Sequence, residues 1–444
     1  MRKSCWIFAL IMVAAGCRPQ AKPEIEVEPP DDTTAPEQPA VAQGPAPFTF
    51  APFMTGLPAG GMWKCDPVLK DVNNDGVLDL AAIPRLRVPN LGDGPRFWFG
   101  AKDGTWTQSS DGLDTGERSC GGGLDLRDID GDGQIDILAA DHCQGLFVYL
   151  GDGQGHWNMV TRQLYPEDIV AEPSRATMYI GVEDAMLGDM DGDGFLDIVA
   201  GGSDIGGIHV YLGDGSGSNW QRVENSGLPQ HDWATRVVVA DMNDDGILDV
   251  VASFADGPRV WHGDGKGHFA DAWEGLPSPI MRGIYTGLAV ADINADGLPD
   301  FAIANWVDGP EVYLQQADRT WLKAPDVFPQ MLGGAVGLDV GDLDNDGKLD
   351  MVCSGRLKKD GGYVRGVFAL KGDGTGRFEY VPNSGLPTTG LAACAGVTIA
   401  DIDEDGLMDV AAGSGLVVET TPNAKGPVIP QRLLEWRGTG PSMK

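Results

Sequence analysis

Positive charge is scarce in this chain. Its 444 residues carry 32 Lys and Arg against 65 Asp and Glu, a formal net charge of −33. A nucleic-acid binder needs a basic face to displace counterions from phosphates, so that class is excluded. Electrostatic docking onto anionic lipid is excluded on the same ground. Histidine is also sparse: the six residues (142, 156, 209, 231, 262 and 268) are dispersed, and His156 and His268 fall in matching GDGxGH turns. HExxH, GxSxG and cysteine–histidine signatures are missing, which leaves no catalytic constellation. What the chain does have is 64 glycines and 30 prolines, a supply of tight turns that fits a β-rich fold better than a helical one.

Long apolar runs are missing too, outside the N-terminus. Met1-Arg2-Lys3 is followed by CWIFALIMVAA (5–15), too short to span a bilayer as a stable helix. The run ends in Ala14-Ala15-Gly16-Cys17, which resembles the lipobox of bacterial lipoproteins, where the cysteine is lipidated and becomes the new N-terminus. An ordinary secretory signal with a chance cysteine is the alternative reading. Arg18 stands where that family's inner-membrane retention signal would be aspartate, so the expected destination is the outer membrane, facing periplasm or exterior. Residues 17–47 are rich in Pro, Glu and Ala and cannot bury enough surface to offset their ordering entropy, so they are expected to form an extended tether. The expected organisation is a signal over 1–16, the lipidated tether over 17–47, one folded body over 48–440 and a tail over 441–444.

One unit recurs seven times in that body: DVNNDGVLD (71–79), DIDGDGQID (128–136), DMDGDGFLD (189–197), DMNDDGILD (241–249), DINADGLPD (292–300), DLDNDGKLD (342–350) and DIDEDGLMD (401–409). A fifty-to-sixty-residue period signals a propeller or an array. Short β-branched runs flank each copy, such as RVVVA (236–240) before and DVVA (249–252) after, and read as buried strands. A third strand follows, as in VYLGDG (210–215), and a GDGxG turn leads to a fourth that begins at Trp220, Phe269 or Phe378. Several units close on GLP, at 56–58, 227–229, 275–277 and 385–387. Four strands in each of seven units predict an all-β, seven-bladed propeller. The last unit stops after its third strand at LEWRGTG (434–440), while FTFAPFMTGLP (48–58) reads as an orphan fourth strand. Pairing the two closes the circle and removes open sheet edges. An open solenoid would not need that offset.

The spacing D-x-[DN]-x-D-G-x-x-D lets alternate side chains converge on an ion, with glycine at the sixth place permitting the sharp turn. The carbonyl of the seventh residue and the carboxylate of the ninth complete an oxygen cage suited to calcium, which tolerates irregular geometry better than magnesium. The expected ligands are Asp71, Asn73, Asp75 and Asp79 in the first loop and Asp128, Asp130, Asp132 and Asp136 in the second. They continue with Asp189, Asp191, Asp193 and Asp197, then Asp241, Asn243, Asp245 and Asp249. The fifth loop offers Asp292, Asn294, Asp296 and Asp300, the sixth Asp342, Asp344, Asp346 and Asp350, and the seventh Asp401, Asp403, Asp405 and Asp409. Two carboxylates 4 Å apart repel by roughly 4 kcal/mol at an effective dielectric near 20, and 25 aspartates stand at these positions. Up to seven structural calcium ions are therefore expected. An EF-hand would need glutamate at the twelfth place, where the first two loops have Ala82 and Ala139. The loops resemble instead those of FG-GAP and VCBS-type repeats, the units of integrin α-subunit propellers and of many bacterial extracytoplasmic proteins. The resemblance covers 48–440; Asn at the third place of three loops and Pro299 in the fifth are its small departures.

Strand alternation puts the acidic loops and the GDG turns on one face of the disc. The varied connections lie on the other, among them 84–96, 168–179, 230–236, 354–366 and 413–431. Uniform loops opposite varied ones describe a scaffold with a recognition surface. Its candidate contacts are Arg175, Tyr179, Trp233, Arg236, Trp306, Arg356 and Tyr363, with Arg85, Arg87, His231, Arg282 and Tyr285 beside them, since aromatic residues and arginine often anchor partners. Five cysteines remain in an oxidising setting beyond Cys5 and Cys17. Cys120 and Cys143 lie nearly symmetrically about the second loop and are expected to pair; Cys65 and Cys394 could pair across the closure, leaving Cys353 as a buried thiol. The expected function is a calcium-stabilised binding or adhesion module with a protein or glycan partner, monomeric, lipid-anchored and not an enzyme. A polysaccharide lyase or hydrolase on a propeller scaffold is the alternative.

Overall fold

A computed structural model describes residues 46–440, apart from 59, 64–65, 85–92, 117–118, 165–180, 203–205, 278–284, 325–331, 360–361, 392–395 and 415–432. The lipobox with Cys17, most of the tether, Arg85, Arg87, Arg175, Tyr179, Arg282, Cys65 and Cys394 lie outside the described residues.

The described chain opens with β1 (Phe50–Pro52) and then repeats one four-stranded antiparallel meander. Blade 1 comprises β2 (Val68–Lys70), β3 (Asp79–Ala82), β4 (Arg96–Phe99) and β5 (Thr107–Gln108). Blade 2 has β6 (Leu124–Arg127), β7 (Asp136–Asp141), β8 (Gly145–Gly151) and β9 (Trp157–Leu164). Blade 3 has β10 (Val182–Gly188), β11 (Asp197–Gly202), β12 (Ile208–Gly213) and β13 (Trp220–Arg222). Blade 4 has β14 (Ala234–Ala240), β15 (Asp249–Phe254), β16 (Gly257–Gly263) and β17 (Phe269–Asp271). Blade 5 has β18 (Tyr285–Ala291), β19 (Asp300–Asn305), β20 (Gly309–Gln315) and β21 (Trp321–Lys323). Blade 6 has β22 (Leu332–Gly341), β23 (Asp350–Lys359), β24 (Gly362–Gly372) and β25 (Phe378–Tyr380). Blade 7 contributes only β26 (Val397–Ala400), β27 (Asp409–Gly413) and β28 (Leu433–Gly438), and β1 pairs with β28 as its fourth strand.

The ring is therefore closed by strand exchange between the two ends of the body, as the orphan strand and the truncated last unit predict. Blade 7 also meets blade 1 directly: Val397 donates its N–H to Asp66 Oδ1 at 2.8 Å, and Leu78 donates to the carbonyl of Ile402 at 2.9 Å. Among the described residues the core divides into seven apolar clusters, one at each junction between neighbouring blades. The last joins Trp63, Trp98 and Trp106 of the first blade's neighbourhood to Ile402 and Ala411 of the seventh. Second strands such as β7, β11, β15 and β19 are buried along their whole length. That explains why they read as continuous apolar runs rather than alternating ones.

The GLP tripeptides have a mechanical role. Gly227 sits at φ 89°, and Ser226 before it accepts a hydrogen bond from the N–H of Phe269, the first residue of the next blade's outer strand, at 2.7 Å. The same clip joins Ser384 to Phe50 at 2.7 Å, so β1 is treated by blade 6 as an ordinary fourth strand.

Candidate functional site

Each acidic loop is a cascade of side chain-to-backbone hydrogen bonds. The first aspartate accepts the N–H of the sixth-place glycine through Oδ2 at 2.8–3.0 Å in all seven loops. The fifth-place aspartate accepts the N–H of the seventh residue at 2.8–3.0 Å. The sixth-place glycines have φ between 80° and 91°, the left-handed region that only glycine enters without strain. The fourth place is left-handed as well, at Asn74, Gly131, Gly192, Asp244, Ala295, Asn345 and Glu404. Sequence reading missed this second bend. The frequency of Asn, Asp and Gly there is the signal that could have shown it.

The ninth-place aspartates have a different task. Asp79, Asp136, Asp197, Asp249, Asp300, Asp350 and Asp409 are at most 1% exposed and begin every second strand. Their Oδ2 atoms accept the N–H of the loop's second residue at 2.7–3.0 Å. Their Oδ1 atoms accept an N–H from the end of the third strand, also at 2.7–3.0 Å. One carboxylate thus ties loop, second strand and third strand together. Burial pushes its pKa up, against the pull of both N–H groups: to about 6 for Asp79, Asp136, Asp197, Asp350 and Asp409, and about 7 for Asp300. Such groups ionise more readily beside a cation than without one.

The donor set fits a calcium ion. In the second, third, sixth and seventh loops, carboxylate oxygens from the first, third and ninth places lie within 4.8 Å of one another. Oxygens about 5 Å apart can share one ion with bonds of roughly 2.3–2.6 Å. The first, fourth and fifth loops offer an amide oxygen at the third place instead, from Asn73, Asn243 and Asn294.

On the opposite face, blade 6 stands out. Strands β23 and β24 run to 10 and 11 residues, against 6 and 7 for the same pair in blade 4, and form an arm carrying Arg356 paired with Arg365 and Lys358 paired with Tyr363. The Arg356 guanidinium lies 5.2 Å from the centre of the Trp306 ring and 5.4 Å from that of Tyr363, and its Nη2 donates to the Trp306 carbonyl at 2.7 Å. Three expected contacts are thereby assembled into one patch, with Tyr363 58% exposed. Trp233 is half-buried and donates its Nε1 to Glu183 at 3.2 Å, and Glu183 also pairs with His142.

Arg236 is not on the open surface. It points to the axis of the ring, where it pairs with Asp66 of blade 1 and with Asp184 of blade 3, the latter at 3.3 Å. The reason is an axial concentration of acid that the sequence does not reveal: Asp184 is 4% exposed, and burial with the nearby charges of Asp125 and Glu183 pushes its pKa to about 8. Asp339 is also raised by burial, to about 6, while the charge of Arg236 opposes the shift. Cys120 and Cys143 form a disulfide with a Cα–Cα distance of 5.6 Å, and Cys353 lies buried between blades 5 and 6.

Comparisons with known proteins agree with this architecture. The FG-GAP-like repeat model matches residues 71–139, 189–252, 243–303 and 292–353. Cartilage acidic protein 1 of Mus musculus is 23% identical over 319 residues, which span 66% of this chain and 48% of that protein. Its Homo sapiens counterpart is 25% identical over 199 residues, 43% of this chain and 29% of that protein. The chain thus spans about half the length, or less, of these curated relatives. The crystal structure of BBS1N in complex with ARL6DN, soaked with mercury, superposes with a TM-score of 0.50 at 10% identity, covering 88% of this chain and 97% of that one. At that identity the likeness shows the fold alone. With its repeats matched in sequence and its seven blades built on them, the chain belongs to the FG-GAP-like repeat family.

Proposed function

We propose that the protein is a calcium-stabilised binding module of the bacterial cell envelope, anchored through a lipid on Cys17 and acting outside the cytoplasm. It holds its partner, a protein or a glycan, on the face opposite the acidic loops. The observation that carries this reading is the blade 6 arm, where Trp306, Arg356 and Tyr363 form one patch on an extended hairpin. Arginine clamped between aromatic rings is pre-ordered, so less entropy is lost when it engages a ligand. The arm also concentrates Arg356, Lys358 and Arg365 in a protein of net charge −33. Its partner is therefore acidic at the contact, and binding weakens as salt rises.

The test is a screen of the full chain against a glycan array, with calcium and with chelator, in parallel with crosslinking on the intact envelope. Trp306→Ala and Tyr363→Ala are each expected to weaken capture at least tenfold while leaving the fold intact. Capture that survives both substitutions, or turnover of a polysaccharide in place of capture, contradicts the reading.

A further inference from the structure

In each blade one residue of the third strand stands opposite the ninth-place aspartate of the acidic loop. These residues are Phe99, Leu150, Leu212, His262, Leu314, Lys371 and Arg437. Four are apolar, and His262 carries a ring rather than a permanent cation. Blades 6 and 7 differ. The Lys371 ammonium lies 2.7 Å from Asp344 Oδ1, 2.8 Å from Asp346 Oδ2 and 3.3 Å from Asp350 Oδ1. It thus engages the third, fifth and ninth places of the sixth loop together, the convergence point of the expected oxygen cage. In blade 7 the Arg437 guanidinium pairs with Asp403 at the third place of the seventh loop. It is steadied by the Phe53 ring, whose centre lies 4.4 Å away, and by the carbonyl of Lys102 at 3.4 Å.

We infer that blades 6 and 7 supply their own cation: Lys371 and Arg437 occupy the sixth and seventh loops, and those two loops do not take up calcium. The inference rests on the reading that the remaining loops hold calcium, and it sets the number of ions at no more than five. The physical reason is competition for the same oxygens. An ammonium with three donors satisfies three carboxylates at hydrogen-bond distance and neutralises part of their mutual repulsion without an ion from solution. It is tethered to the next strand, so its effective concentration at the loop is high and independent of the calcium supply. Blade 7 contains the strand exchange that closes the ring and blade 6 packs against it, and a resident cation keeps that region ordered when calcium is low.

Calcium bound per full-length chain, counted by native mass spectrometry at fixed free calcium, tests the inference. Lys371→Met is expected to bind one ion more than the unmodified protein. Leu212→Lys, which places an ammonium at the matching position of blade 3, is expected to bind one fewer, and it tests the idea independently should the first variant fail to fold. A calcium-loaded protein whose count is unchanged by either substitution, or an unmodified chain that binds more than five ions, overturns the inference and leaves the calcium reading standing. A chain that binds no calcium in any form overturns both.

Discussion

At the scale of single residues, the loops test how much backbone conformation matters when the metal is set aside. Ala295 holds the left-handed fourth place of the fifth loop at φ 58°, and Gly297 the sixth place at φ 88° with nothing within 4 Å of where a Cβ would sit. A left-handed alanine costs about 1–2 kcal/mol relative to its ordinary conformation. Ala295→Gly is therefore expected to raise stability by roughly 1 kcal/mol and Gly297→Ala to lower it by a similar amount, measured by urea unfolding in chelator. Equal effects of the same sign would contradict the assignment. Glu435 makes a second test. It is fully buried, accepts the Nε1–H of Trp106 at 2.5 Å, and burial pushes its pKa up to about 9. A carboxyl whose folded pKa is raised contributes stability that is complete below its unfolded pKa and is lost as pH rises towards 9. Glu435→Gln removes that slope, with an expected gain of about 3 kcal/mol at pH 7 that vanishes near pH 4. Parallel pH profiles for the two proteins would refute it.

At the scale of elements, strands and loops were legible because the same signals recur seven times. The acidic motif marks the hairpin between the first two strands, its ninth aspartate begins every second strand, and the aromatic after the GDGxG turn begins several of the fourth. The blade 6 arm was legible only as chemistry: Arg356 and Tyr363 were visible as candidates, but not that a longer β23–β24 pairing gathers them beside Trp306. The occupancy of the sixth loop was not legible at all. Lys371 lies 27 residues after Asp344, and only the cross-strand register brings the two together. The disulfide is an element-scale feature that sequence symmetry did indicate. Cys120 and Cys143 are separated by 23 residues, and a loop of that size gives about 3 kcal/mol through restriction of the unfolded chain. Replacing both by alanine is expected to lower stability by roughly that amount under oxidising conditions and by nothing under reducing ones. A loss that persists under reduction would point to packing instead.

At the scale of the whole molecule, closure depends on three sets of contacts that no single repeat contains. The first is the pairing of β1 with β28, the second the apolar cluster between blades 7 and 1, and the third the axial ion network centred on Arg236. The network was illegible in the sequence because Asp66, Asp184, Asp339 and Arg236 come from four blades and share no motif. Arg236→Met leaves buried carboxylates facing each other without compensation, and a loss of about 3–5 kcal/mol at pH 8 is expected. The loss shrinks as pH falls through the raised values of about 8 for Asp184 and about 6 for Asp339, because protonation removes the repulsion. Denaturant titrations of both proteins between pH 5 and pH 8 check this, and a loss that does not change with pH would contradict it.

The loops give the central claim its most direct test: thermal unfolding of the full chain in millimolar calcium and in chelator. Each occupied site adds roughly 2.7 kcal/mol when calcium exceeds its dissociation constant a hundredfold, so several sites together rival the stability of a whole domain. The account predicts a midpoint at least about 10 °C higher in calcium. Coincident unfolding curves in calcium and chelator would contradict it.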